Sequence, residues 1–452
     1  MKKHILFILL SSFSTYGFSQ AANISPYSRY ALGDINPNWF SQNTGIGGAT
    51  VSVVDSNQVN VLNPASYSLM APHCPVMDFS FRGRLVNMST STSSAKGNYA
   101  TINNWVLGLP VNRRLGFAFG LLPYSSSGYN ISTSQDSEEF GGTLFSKYQG
   151  RGGINRVFLG TGITLLRSIQ KNNVNILSIG GNASYVFGDI EKTRILTLPA
   201  QTGLNNSKVV SSLYAKDFMF DAGIYYRNVM NERYQLGIGF ATTFGTSLNC
   251  ERSLLAYTTD PSFGSLVDTV EYISNEKGTI VVPPRYSMGV TYDFMGVEGS
   301  KNNYKLSLSL QYNLQDWTKY QENFASSTTS ESLRRTSGYN FGVQYIPHRY
   351  GKGRSQRIPI IKQVNYRAGY YTTKSYLSIN DVNVDSWGAT AGFGIPLLNS
   401  SGSYSMINLG FEYGARGTTN SNLLQEKYWG FHIGVTFSPG AYDRWFIKRK
   451  YD

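Results

Sequence analysis

The segment Trp429–Phe437 limits the possible folds of this chain more than any other stretch. Trp429, Phe431, Ile433, Val435 and Phe437 alternate with Gly430, His432, Gly434 and Thr436. Successive side chains on an extended strand point to opposite sides, so one face of this segment is greased and the other wetted. The pattern recurs. Leu306, Leu308, Leu310, Tyr312 and Leu314 alternate with Ser307, Ser309, Gln311 and Asn313; Tyr234, Leu236, Ile238 and Phe240 alternate with Gln235, Gly237, Gly239 and Ala241; Ile407, Leu409, Phe411 and Tyr413 alternate with Asn408, Gly410 and Glu412. A soluble sandwich alternates too, so composition has to decide. Charged residues make up 15% and aromatics 14% of the 452 residues, with 46 glycines; a typical soluble domain carries about 25% charge. Disorder needs more charge and fewer rings, and no run after residue 20 approaches the ~18–20 apolar residues of a spanning helix. What remains is an all-β, transmembrane antiparallel β-barrel. Rings near segment ends, at Tyr234, Trp317, Tyr413, Tyr428 and Trp429, fit its interfacial girdles.

The alternation predicts fourteen strands, over 75–88, 98–111, 114–124, 153–168, 174–189, 213–229, 233–248, 279–294, 303–317, 336–346, 364–377, 385–398, 404–416 and 427–438. Long links at 125–152, 190–212, 249–278, 318–335 and 417–426 alternate with short ones, as outer loops alternate with periplasmic turns. The link 347–363 is an unusually long periplasmic turn. At the N-terminus Lys2 and Lys3, the apolar run Ile5–Leu10, and Gly17, Ser19 and Ala21 read as a secretory signal peptide over 1–19, which sends the chain to the outer membrane of a Gram-negative cell. Residues 20–73 alternate too poorly for barrel wall and predict a hatch entering the lumen from the periplasmic side, or else a periplasmic leader. The barrel then spans 74–438, and 439–452 forms a basic periplasmic tail.

Catalytic constellations are missing from the sequence. Cys74 and Cys250 fall at opposite barrel ends and make no disulfide framework. His73, His348 and His432 are far apart, without metal-ligand spacing. Neither a cofactor nor an enzyme activity is expected. The formal charge of +13 in an exported, aromatic-rich chain does not point to nucleic acid. Bases gather on predicted periplasmic segments, including Arg113, Arg114, Arg349, Lys352, Arg444, Lys448, Arg449 and Lys450; acids gather on predicted outer loops, including Asp136, Glu138, Glu139, Asp268 and Glu271. The basic rim suits anionic lipid headgroups, at about 1 kcal/mol per Lys or Arg, an acidic periplasmic partner, or plain solvation. Asp221, Arg367, Glu412 and His432 alternate away from the lipid-facing residues of their strands. They fill the lumen and anchor the hatch, or meet a ligand carboxylate, Arg367 being the best-suited anion partner.

The hatch segment carries Gly45-Ile46-Gly47-Gly48-Ala49 and then Asn60-Val61-Leu62-Asn63-Pro64-Ala65-Ser66-Tyr67. This resembles the FadL family of outer-membrane channels, whose hatch has a Gly-rich turn followed by an Asn-Pro-Ala motif. Leu121-Leu122-Pro123-Tyr124 falls where that family interrupts its third strand, and Val282-Pro283-Pro284-Arg285-Tyr286-Ser287-Met288-Gly289 is similar to its mid-barrel signature. The resemblance spans essentially the mature chain. It implies passive uptake of hydrophobic molecules, long-chain fatty acids or aromatic hydrocarbons, past a hatch built on Gly45, Gly47, Gly48, Asn63, Pro64 and Ala65, with lateral exit through the wall. Pro123 gives such a gap a physical basis, because proline cannot donate to the ladder; the plainer reading is that it ends its strand. Ser25-Pro26-Tyr27-Ser28-Arg29-Tyr30 and Trp445-Phe446-Ile447-Lys448-Arg449-Lys450 depart from the fatty-acid channels. They resemble a FadL-like subset from bacteria with type IX secretion, where one barrel is a Plug subunit sealing the translocon. That resemblance implies a non-conducting role, with Arg444, Lys448, Arg449 and Lys450 docking a large translocon barrel or a periplasmic protein. A third reading is a receptor or adhesin barrel presenting loops 125–152 and 249–278.

Overall fold

A computed structural model describes residues 23–72, 74–170, 173–199, 202–261, 264–296, 303–329, 331–348, 359–397 and 405–438. The expected signal peptide 1–19, His73, the tail 439–452 with Arg444, Lys448, Arg449 and Lys450, and most of the basic link 347–363 lie outside the described residues.

Fourteen antiparallel strands form the wall: Val76–Ser89, Ser94–Pro110, Leu115–Ser126, Gly142–Gln170, Asn173–Thr197, Asn206–Met230, Tyr234–Thr243, Arg285–Met295, Lys305–Asp316, Arg335–Ile346, Asn365–Lys374, Ser386–Pro396, Met406–Gly417 and Gln425–Phe437. Each pairs with the next, and the last pairs with the first over Met77↔Phe437 to Ser89↔Gln425, which closes the cylinder. Closure removes the free edges of the sheet, which would be costly at membrane depth, except along a stretch between the second and third strands, which pair only up to Trp105↔Leu121. The two faces sort as the alternation requires: Phe81, Leu85, Trp429, Phe431 and Ile433 point out and are exposed, while Ser80, Arg82, His432 and Thr436 point in and are buried. An unbroken apolar belt of this kind has one natural solvent, the hydrocarbon of a bilayer.

Three expectations need correction. Links 125–152, 190–212 and 249–278 are mostly strand, not loop. The wall strands run on, and Tyr129–Ser137, Thr246–Thr259 and Leu266–Val282 join them. Above the bilayer both faces of a sheet meet water, so the apolar-polar period disappears while backbone pairing continues. Trp317 and Tyr428 are not girdle residues: Trp317 is 2% exposed against Tyr320 and Tyr376, and Tyr428 faces the lumen, hydrogen-bonded to Tyr371 at 2.6 Å. Finally, the N-terminal segment does not enter from the periplasmic side. Asn23 lies beside Ser126 and Gly128 at the outer end, and the chain descends through the lumen to Met70 beside Gly108 before the first wall strand begins.

Candidate functional site

Residues 23–72 fill the barrel because its inner face is cut to receive them. The four-residue helix Ser41–Thr44 lies against Gly410 and Gly434, and Val51 lies against Gly239. Backbone meets backbone in the glycine-rich turn. Gly47 and Gly48 hold φ of 62° and 73°, a left-handed conformation suited to glycine. The Gly47 N–H donates to Thr390 Oγ1 at 3.0 Å, and its carbonyl accepts from Asn340 Nδ2 at 2.5 Å. Gly45 packs on Gly392 and Arg367. The Thr50 and Val51 amides both donate to Gln311 Oε1, at 2.7 and 2.9 Å. Asn63 caps the 3₁₀ helix Pro64–Leu69 by accepting from the Ala65 amide, and donates to the carbonyls of Val51 and Ile224 at 2.9 and 3.1 Å. Pro64 at the first position of that helix lacks only an N–H that would be unpaired anyway. Phe40, Val59, Val61, Tyr67 and Met70 then close an apolar core with the wall residues Val76, Val106, Ala118, Leu122 and Phe158.

Asp221, Arg367, Glu412 and His432 all face inward, but they do not share one site. Asp221 pairs with Arg156 at 3.4 Å and accepts from Thr243. Arg367 donates to Asn408 at 2.9 Å and Gln344 at 3.2 Å. Glu412 and His432 do meet: Glu412 binds Arg84 at 3.1 Å and the Tyr371 hydroxyl and lies 3.5 Å from His432 Nε2, while Thr44 of the filling segment reaches His432 Nδ1 at 3.3 Å. Each candidate is therefore already engaged by wall or segment.

A separate chamber of about 260 Å³ lies in the outer half of the lumen. Arg82, Arg84, Arg285 and Arg416 line it with Asp34 and Glu426, among the rings of Trp39, Tyr99, Tyr371 and Tyr428. None of the four lumen candidates lines it. The inward row Asp78, Ser80, Arg82, Arg84, alternating with Phe79, Phe81 and Leu85, carried the signal for two of these arginines. Above the chamber, Tyr27, Ala31 and Leu32 join Ile154, Ile190, Leu248, Trp317, Tyr320 and Leu377 in one buried cluster that closes the outer mouth.

Beside the chamber the wall has a seam. Strands Ser94–Pro110 and Leu115–Ser126 pair only from Pro110↔Gly116 up to Trp105↔Leu121. Pro123 lies two residues beyond that last pair, while the other side of its strand stays paired, with a bulge between Pro123 and Ser125. From inside, Asp34–Ile35 pairs with Ser125–Ser126, and the Asn36 amide donates to the Tyr124 carbonyl at 2.9 Å. Tyr99 and Ser126, on the two lips of the seam, both line the chamber.

A protein-family model described as BamG matches residues 1–452. Among solved structures, the P. putida toluene transporter TodX is similar at 14% identity, covering 89% of this chain and 98% of that one with a TM-score of 0.56. The Ralstonia pickettii toluene transporter TbuX is 13% identical over 88% of this chain and 97% of its own, with a TM-score of 0.54. A Pseudomonas aeruginosa FadL homologue is 10% identical over 90% and 98%, with a TM-score of 0.53. At these identities the likeness is one of fold, and the wall is a FadL-type barrel. No curated protein matches the chain.

Proposed function

This chain belongs to the BamG family, and from its filled lumen and overgrown wall we infer that it works as a sealed outer-membrane barrel that docks protein partners. The observation that carries this reading is the height of the sheet. A bilayer-spanning strand needs about 9–11 residues. Gly142–Gln170 has 29, and Asn173–Thr197 and Asn206–Met230 have 25 each. The excess, at about 3.3 Å per residue, lifts a single-layered sheet far above the membrane. Its outward face carries Phe145 and Tyr272, both well exposed. A sheet normally buries one face against a second layer, and among the described residues this chain supplies none there. A conduit for small solutes has no need of such a structure. The type IX Plug role is one form of the reading; the basic tail would then hold the periplasmic side of the partner.

Purification from native membranes in mild detergent is expected to retain a large protein partner in fixed stoichiometry. The isolated barrel in planar bilayers is expected to give no steady conductance. A chain that purifies alone and conducts would overturn the reading.

The seam favours a second reading, passive uptake of hydrophobic compounds by lateral exit; TodX and TbuX, which share the fold, are toluene transporters. Charged residues around the chamber weigh against free passage of a neutral hydrocarbon. On this reading Pro123→Val, which restores a ladder donor at the seam, slows uptake of a labelled hydrophobic probe into liposomes severalfold. Unchanged uptake removes the seam as a route.

A further inference from the structure

We propose that the periplasmic mouth of the lumen is a docking site for an acidic peptide segment of a protein partner, held by Arg167 and Arg227. The proposal rests on the docking role inferred above and names the chemistry of one contact. Arg167 and Arg227 are both cross-strand neighbours of Ile176. Ile176 packs with Ala65 and Leu69 of the filling segment and with Tyr225, two residues before Arg227. Arg167, Ile176 and Arg227 therefore all face the lumen, immediately below the helix Pro64–Leu69. Two strand spacings place the arginine backbones about 10 Å apart, so both side chains reach one carboxylate or two neighbouring ones. The turn that carries Arg113 and Arg114 is stitched to the same strand end. The Thr164 amide donates to the Arg114 carbonyl at 2.8 Å, and Arg167 Nη1 donates to the Arg113 carbonyl at 3.4 Å.

Charge around the pair is uncompensated. Neither arginine has a carboxylate within ion-pair distance among the described residues. The inward acid Asp293, two strands beyond Arg227, pairs with Lys305 at 3.0 Å and accepts from Gln235 at 2.7 Å. Asp55 of the filling segment accepts from the Asn57 amide at 2.9 Å. Arg227 is half-buried and makes no side-chain hydrogen bond among the described residues; its Nε is enclosed, and the far end of the guanidinium is the part that reaches solvent. Arginine keeps its proton, and a partly buried charge without a partner is costly. A second arginine beside it adds repulsion, which an incoming anion relieves.

The surroundings choose the occupant. The planar fork of arginine matches a carboxylate through two parallel hydrogen bonds. The pair faces inward, whereas Leu166, Leu177 and Tyr226 on the same strand ends face lipid, so a leaflet phospholipid does not meet it from the membrane side. The filling segment closes the lumen above, so the occupant enters from the periplasm. Arg113 and Arg114 were readable as periplasmic bases. The pair Arg167 and Arg227 was not, because only the register across Ile176 brings the two together.

The test uses the full mature barrel. From native membranes in mild detergent, the partner retained by the wild-type chain is expected to be lost from Arg167→Gln with Arg227→Gln. In neutral detergent the purified wild-type barrel is expected to bind a fluorescein-labelled hexaglutamate peptide saturably, read by anisotropy, and the double variant at least about tenfold more weakly. Lys96→Gln with Lys427→Gln removes the same charge from the outward face at the opposite end and is expected to leave binding unchanged. Heat-modifiable gel mobility checks that each barrel is folded. If the arginine double variant is not, Arg167→Gln alone, at an exposed position, is expected to weaken peptide binding severalfold. Equal losses in the two charge-matched variants, no saturable peptide binding, or inorganic phosphate or short-chain phosphatidylglycerol binding as tightly as the peptide overturns the proposal. A partner retained in full by the arginine variant overturns it too and leaves the docking role standing, whereas a wild-type chain that retains no partner removes the docking role and this contact with it.

Discussion

Gly369→Val is expected to turn a silent barrel into a conducting one. Gly369 sits on the inner face where the glycine-rich turn presses against the wall, and a Cβ there would lie 2.2 Å from the Gly47 nitrogen and 2.4 Å from the Ile46 carbonyl carbon. Both are backbone atoms and cannot rotate aside. The wall cannot yield either, because Gly369 is laddered to Gly342 on one side and Thr390 on the other. The turn is the part that moves, and it takes with it the Gly47 bonds to Thr390 and Asn340. Steady conductance in planar bilayers and protease cleavage near residues 45–48 are the expected readouts. Ala368→Val supplies the control, since Ala368 faces lipid and its enlargement touches nothing inside. A silent, protease-resistant Gly369→Val barrel would show that the turn is not what blocks the lumen.

The second large effect is expected at Glu412, whose side chain is 1% exposed. It accepts from Arg84 and Tyr371, lies 3.5 Å from His432 Nε2, and through Tyr371 reaches Tyr428. Glu412→Ala leaves the partly buried Arg84 guanidinium without its counter-charge and the Tyr371 hydroxyl without its acceptor. Removing one partner of such a buried pair costs about 3–5 kcal/mol, read as a fall in the urea midpoint of the refolded barrel in micelles. Glu191→Gln is the matched exposed case. Its partner Arg151 is 75% exposed, so water screens the pair and the midpoint is expected to hold. Equal effects of the two changes would contradict the burial argument.

What could be read from the sequence follows from where a bilayer acts. All fourteen wall strands were visible because lipid on one side and a wet lumen on the other impose a period of two, clearest over Trp429–Phe437. The tall extensions, such as Tyr129–Ser137 against Gly142–Gly150, were invisible as strands because neither face meets lipid. In the lumen, the inward orientation of Glu412 and His432 was readable, but their meeting with Arg84 was not. That contact depends on the register Arg84↔Gly430↔Glu412, which no single segment encodes. The Asn63-Pro64-Ala65 cap was readable as local chemistry, whereas its docking on Gly180 and Gly223 required the assembled cylinder.

The first and last wall strands are neighbours, and the residues immediately before the first are enclosed by the completed ring. Tyr67 and Phe40 are packed tightly against the inner face of that cylinder. Assembly is therefore expected to coil the amino-terminal stretch against the nascent inner face before Val76–Ser89 zips to Gln425–Phe437. The final seam of assembly, the pairing most distant along the chain, is the step that locks the contents in.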